Sequence, residues 1–282
     1  MKKLTVIVLC VVLCLSVLCL TACGDGVNIQ NYTNEVTIEE FQELITEAIT
    51  DYKFDDSDTF EKSYTIDIYG KQEEIDKYTY DSDAVTENRC VSTSKLVQKY
   101  DSVNKVINAT EEYSEETKSP SANGYSKSSD KSWYQKDGND VAYSHAPETK
   151  MYVLYEDSEI TEYTKLESTF NNYYSMIEGY ISRANNATEG TEYTFYVDNN
   201  IFTIVVAEQV EMSDTETSTD STIQIIFNKD KVELLLKRET VETKTYADSE
   251  KVSTDTTLSK TTITIGNVTL NKEDLSKYNK YE

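Results

Sequence analysis

The chain has 282 residues, 51 of them acidic and 27 basic, for a formal charge of −24. A phosphate backbone requires a basic footprint, so this balance excludes nucleic acid as a partner. It also excludes lying flat on anionic lipid, which attracts polybasic and not acidic segments.

The N-terminus carries an address. Met1-Lys2-Lys3 is a short basic start, and an uncharged run follows from Leu4 to Leu20, then Thr21-Ala22-Cys23. Basic start, apolar core and small residues before a cut are the secretory pattern. Leu20-Thr21-Ala22-Cys23 resembles the lipobox of bacterial lipoproteins. That resemblance implies a diacylglyceryl group on the Cys23 thiol, cleavage between Ala22 and Cys23, and Cys23 as the new N-terminus. Cys10, Cys14 and Cys19 each follow a leucine, so only Cys23 fits the motif. Two acyl chains anchor stably where one is marginal. The expected location is therefore the extracytoplasmic face of a cell membrane, with the membrane as a partner through the lipid. Gly24 follows Cys23, which permits outer-membrane sorting in a Gram-negative cell, while the low-Arg, Lys-, Asn- and Tyr-rich composition resembles a Gram-positive one.

Removing residues 1–22 takes away Lys2 and Lys3, leaving 25 basic against 51 acidic residues, a mature charge of −26. Only Cys23 and Cys90 survive cleavage. A thioether on Cys23 rules out an internal disulfide, so Cys90 reads as a small strand residue packed inward. Residues 23–36 read as a short polar tether. From Cys23 to Glu35 it reaches roughly 40 Å at about 3.3 Å per residue.

Residues 37–282 read as one β-rich domain. Thr37 and Glu40 make a capping-box pattern, and Ile38, Phe41, Leu44, Ile45, Ala48, Ile49 and Tyr52 follow at helical spacing. The period then changes to two at Tyr64, Ile66 and Ile68; Gly70 is expected to break this strand, which resumes over 75–80. Further strands are expected at 86–97, 103–117, 125–136, 140–145 and 150–156. A second amphipathic helix runs from a Thr164/Glu167 capping box to a stop at Asn185-Asn186. Strands return at 191–198, 201–211, 221–228, 231–244 and 252–265, with residues 212–220 as a long polar tip and a turn of helix within 270–278. Closely spaced strands without crossover helices make an antiparallel meander. The expected fold is α+β, mainly β: a large curved antiparallel sheet, a half-barrel, packed with two amphipathic helices. By element order this looks like the periplasmic carriers of the LolA and LolB type and the lipid-binding lipoproteins of the LppX and LprG type. The resemblance implies an apolar cavity for acyl chains and carries over no residues.

Catalytic signals are sparse. Histidine occurs once, at His145, with no HExxH or CxxC pattern and no Gly-rich phosphate cradle. Asp55-Asp56-Ser57-Asp58 and Asp81-Ser82-Asp83 resemble calcium loops only loosely and read as solvated turns. No enzyme activity, metal or cofactor is expected. The compositional oddity is 22 Tyr against 7 Phe and one Trp. Tyrosine suits half-exposed strand faces, and it also anchors sugars and protein interfaces. Two readings follow: a half-barrel that binds a lipid or other apolar ligand, and a surface protein that recognises glycan, peptide or an envelope protein through Tyr-rich faces.

Overall fold

The computed structural model describes residues 27–50, 62–80, 85–119, 124–137, 140–144, 153–156, 166–247, 249–266, 268–270 and 272–274. Leu20, Thr21, Ala22, Cys23, His145, Thr164 and the acidic clusters at 55–58 and 81–83 lie outside the described residues.

The strands are β1 (Glu35–Val36), β2 (Tyr64–Tyr80), β3 (Val85–Asp101), β4 (Val106–Ser119), β5 (Gly124–Asp137), β6 (Asp140–Ser144), β7 (Val153–Glu156), β8 (Thr191–Asp198), β9 (Ile201–Met212), β10 (Thr215–Asn228), β11 (Lys231–Thr245) and β12 (Ser249–Ile265). Helix α1 (Ile38–Thr50) precedes β2, and helix α2 (Leu166–Asn185) precedes β8. The strands form one open sheet in the order β1-β8-β9-β10-β11-β12-β2-β3-β4-β5-β6-β7. Each half is therefore a helix followed by a meander. The two meanders join where β12 pairs antiparallel with β2. This is the expected half-barrel with two amphipathic helices.

One end of the sheet holds the core. Along the strands, alternate side chains face the helices: Tyr64 and Ile66 of β2, Tyr100 of β3, Ile107 and Ala109 of β4, Phe202 and Ile204 of β9, Ile223, Ile225 and Phe227 of β10, and Ile263 of β12 are all buried. Their register is continuous, with Ile66 opposite Ile263 and Ile263 opposite Val232. Against this face α1 buries Phe41, Ile45 and Ile49, and α2 buries Ile177 and Ile181. The Thr37 hydroxyl accepts from the Glu40 amide at 3.2 Å, so the cap read from the sequence starts α1.

The opposite end of the sheet is built differently. Beyond Gly70, Ser94 and Glu111 the strands carry Thr, Ser, Lys and Glu on both faces, and hardly any of these residues is buried. This half is a single polar layer held by its backbone ladder and cross-strand pairs. It explains two departures from the expected elements. Gly70 does not break β2. It sits opposite Ser94, and a Cβ there would lie 2.9 Å from the Ser94 Oγ. Residues 212–220 are not a loop either: β9 and β10 meet in a tight turn at Ser213-Asp214, and β10 already begins at Thr215. A polar sequence with both faces in water has no hydrophobic alternation to announce it. Conversely, β4 starts at Val106 and not at 103, because the Asp101 carboxylate caps a turn there. It accepts from the amides of Val103 and Asn104 and from the Asn104 side chain.

Both terminal segments cross the face of the sheet opposite the helices. Within the segment read as a short polar tether, residues 30–36 lie against the sheet. Asn34 accepts from the Val197 amide, Asp198 accepts from the Thr33 amide at 2.9 Å, and Tyr32 packs on Tyr196 with ring centroids 4.8 Å apart. Thr33 holds the Asp198 carboxyl below its ordinary range. Further in, Gln224 of β10 grips the backbone of Gln30, donating to its carbonyl at 3.0 Å and accepting from its amide at 2.8 Å. Gln135 of β5 grips Glu273 the same way, at 2.9 and 3.0 Å. Both glutamines are fully buried.

Gly190, between α2 and β8, is a tight point. Its φ is +90°, and a Cβ would stand 2.5 Å from the Gln209 carbonyl oxygen. The Gln209 amide bonds back to Gly190 at 2.7 Å. Gly190→Ala is expected to cost on the order of 1–3 kcal/mol through strain and that clash; urea unfolding of the two proteins checks it, and an unchanged midpoint would refute it.

Candidate functional site

Among the described residues, the space between the middle of the helices and the sheet is nearly filled. An open recess of about 320 Å³ lies at the edge, where the start of α1 and the end of α2 meet β1 and β8, lined by Val36, Ile38, Ala184, Asn185, Tyr193 and Phe195. The recess under the middle of the helices, lined by Ile49, Tyr173, Tyr174, Ile177, Ile225, Phe227, Val232 and Leu234, holds about 10 Å³. That is room for about one water molecule and far below a ligand cavity of about 300–1,000 Å³. Tyr173 helps close it: its hydroxyl donates to Thr261 of β12. Burial pushes the Tyr173 phenol up, and that hydrogen bond opposes the shift. Tyr174 is tied to Glu178 on the same helix. The aromatic pair in α2 is thus spent on packing.

A larger concavity lies on the opposite face, across β2 to β5. It is a groove of about 660 Å³ lined by Tyr69, Thr93, Ser94, Lys95, Glu112, Tyr113, Ser114, Ser129, Asp130 and Lys131. Strand register assembles it. Tyr69 is opposite Lys95, Lys95 opposite Glu112, and Glu112 opposite Lys131. One step along, Thr93 is opposite Ser114 and Ser114 opposite Ser129. Two parallel rows result, one aromatic and charged, the other of hydroxyls. The Thr93 and Ser114 hydroxyls are 2.7 Å apart.

The electrostatics of the first row are unequal. Lys131 Nζ lies 2.6 Å from the Glu112 carboxylate, and that hydrogen bond holds Glu112 below its ordinary range, with Lys95 adding to the effect. Lys260, next in the row beyond Tyr69, is engaged by Glu233 at 2.9 Å. Burial pushes the Glu233 carboxyl up, but Lys260 and Lys231 together hold it below its ordinary value. Lys95 is exposed and has no ion pair or hydrogen bond among the described residues.

A second surface feature is the rim at the polar end of the sheet. Tyr80, Val85, Tyr125, Val210, Met212 and Tyr246 are exposed large hydrophobic residues. All sit beside the hairpins that join β2 to β3, β4 to β5, β9 to β10 and β11 to β12. Cys90, half-buried in β3, accepts weakly from the Thr117 hydroxyl at 3.6 Å. Among the described residues there is no cluster of metal-ligating side chains, and no helix long and apolar enough to cross a membrane.

No family model matches the chain, and no curated protein does. Several solved structures are distantly similar, three of them as follows. One is from work on the asymmetric conductivity of engineered proteins, at 7% identity over 72% of this chain and 100% of that one, with a TM-score of 0.17. Another is a protein assigned as an AttH from Nitrosomonas europaea, at 6% identity over 78% of this chain and 55% of that one, also at 0.17. The third is a mutant of the Rh. blastica porin, at 6% identity over 72% and 100%, again at 0.17. Similarity at that level carries no argument about fold or function.

None of the groove residues was singled out by sequence. They come from four strands spread over Tyr69 to Lys131, and each is an ordinary polar residue in its own segment. Only the register, with Gly70 kept inside β2, brings them together.

Proposed function

We propose that the chain is a lipid-anchored, extracytoplasmic binding protein without catalytic chemistry, which meets a polar ligand in the groove across β2 to β5. The observation that carries this reading is the contrast in volume: about 660 Å³ in the hydroxyl- and lysine-lined groove against about 10 Å³ in the apolar recess under the middle of the helices and about 320 Å³ in the open recess at the β1–β8 edge. So small a recess under the middle of the helices favours surface recognition over a buried acyl cargo, even though the element order resembles that of lipid carriers.

The anchor itself rests on Leu20-Thr21-Ala22-Cys23. With Gln30 gripped by Gln224, the leash from Cys23 to Gln30 spans at most about 23 Å. That is shorter than the tether expected from sequence, and it holds the domain against the bilayer on the side where the N-terminal segment lies.

The full chain expressed in a Gram-positive host with labelled palmitate tests the anchor. Label in a membrane-bound protein, lost in Cys23→Ser, is the expected result; an unlabelled wild type ends this part of the reading. Native mass spectrometry of the protein from Gly24 to Glu282 tests the interior. The expected mass is that of the bare polypeptide, and a co-purifying acyl lipid would restore the apolar-cargo reading.

A further inference from the structure

We infer that the groove across β2 to β5 binds an oligosaccharide of low charge density, with Lys95 receiving one carboxylate and Tyr69 supporting a sugar ring. The inference rests on the groove being the binding site proposed above and names the ligand class it takes.

Size comes first. A volume of about 660 Å³ lies within the ordinary range of ligand sites, about 300–1,000 Å³. It is far larger than a simple inorganic anion fills. Charge comes second. Lys95 and Lys131 bring two positive charges and Glu112 and Asp130 two negative, so the groove lining is neutral on a chain of −24, and Asp130 is turned to the Lys131 amide at 2.8 Å. Glu112 is already satisfied by Lys131. Lys95 is the ammonium left over, and it can compensate a single carboxylate. A polyanion would gain that one contact and be repelled by the rest of the molecule.

The groove's neutral side chains decide between a sugar and an acidic peptide. An extended peptide gains most of its affinity by adding to a sheet edge or by filling apolar pockets. Neither is present here. β3 and β4 are paired on both sides, so their backbone donors and acceptors are occupied. The second row instead offers the hydroxyls of Thr93, Ser114 and Ser129. These are both donors and acceptors, which suits a ring bearing hydroxyls of its own. Tyr69, directly opposite Lys95, supplies an amphipathic ring beside the charge. Aromatic support, hydroxyl pairing and one cation together describe a uronic acid or similar sugar acid within an otherwise neutral glycan.

Titration of the protein from Gly24 to Glu282, followed by calorimetry and amide chemical shifts, tests this. The probes are a hyaluronan tetrasaccharide, which alternates charged and neutral sugars, neutral chitotetraose, and tetraglutamate. The expected result is that the hyaluronan fragment binds and shifts amides of Thr93 to Lys95 and Glu112 to Ser114. Lys95→Gln should weaken it about tenfold or more, the scale of one charge-assisted hydrogen bond. Tyr69→Ala should weaken it comparably, and Lys99→Gln, on the same face outside the groove, should leave it unchanged. All three variants should match the parent's unfolding midpoint. Equal binding of chitotetraose, insensitive to Lys95→Gln but lost in Tyr69→Ala, would overturn the acidic ligand and leave the groove as a site. Equal binding of tetraglutamate would overturn the glycan. No shift at the groove with any probe would overturn both this inference and the site it rests on.

Discussion

Phe41→Ala is expected to lower the unfolding free energy by about 3–5 kcal/mol, the cost of truncating a fully buried phenylalanine. Phe41 has no exposed surface. Its ring meets Phe195 of β8 at 4.9 Å and Phe202 of β9 at 5.9 Å, and Phe202 in turn packs edge-on to Phe227 of β10 at 5.7 Å. One side chain therefore ties α1 to two strands directly and, through Phe202, to a third. The consequence exceeds a local cavity because, among the described residues, the buried apolar side chains sit at one end of the sheet. The polar half adds ladder hydrogen bonds and little apolar area, so among the described residues no second core shares the load. A domain of ordinary net stability, about 5–15 kcal/mol, loses a large fraction of it. Urea unfolding followed by circular dichroism measures the change. Val103→Ala, in the turn between β3 and β4 and 86% exposed, is the control, expected within about 0.5 kcal/mol of the parent. A Phe41→Ala cost below about 1 kcal/mol would mean that α1 is not the layer that closes the core.

The sequence revealed what depends on periodicity. The 3.6-residue spacing of Phe41, Ile45 and Ile49 places α1, and Ile66, Ile225 and Ile263 mark strands whose one face is buried. Its reach ended where burial ended. Thr215 to Asp220 and the stretch around Gly70 belong to strands with polar side chains on both faces, so they read as loop and break. Their strand character comes from neighbours in the ladder, which a single segment does not display. The groove was hidden for a related reason. Lys95 and Tyr69 are 26 positions apart in the sequence, and only the β2–β3 register sets them face to face. The terminal grips were hidden as well, because Gln135 and Gln224 alternate within their strands like any solvent-facing polar residue. What buries them is a segment from the far end of the chain.

Gln224→Ala should therefore be more damaging than a polar substitution in a strand ordinarily is, at on the order of 3 kcal/mol. The glutamine is fully buried and makes three hydrogen bonds: two to the backbone of Gln30 and one to the Thr203 hydroxyl at 3.0 Å. Alanine leaves those partners without their bonds, and each buried unsatisfied group costs about 1–3 kcal/mol. The segment relieves part of this by lifting into water. The first fixed point of the chain then moves from Gln30 to Thr33, which Asp198 still holds. The leash from Cys23 lengthens from about 23 Å to about 33 Å at full extension. Two measurements on the protein from Gly24 to Glu282 separate this from general loosening. Amide exchange at Ile29 to Tyr32 should rise sharply while exchange in α1 changes only by the global loss of stability, and a protease should cut ahead of Thr33 first. Gln135→Ala is the matched control. It frees the segment around Glu273 at similar cost and leaves the N-terminal segment protected. Unaltered protection of Ile29 to Tyr32 in Gln224→Ala would show that the strap is held by something other than this glutamine.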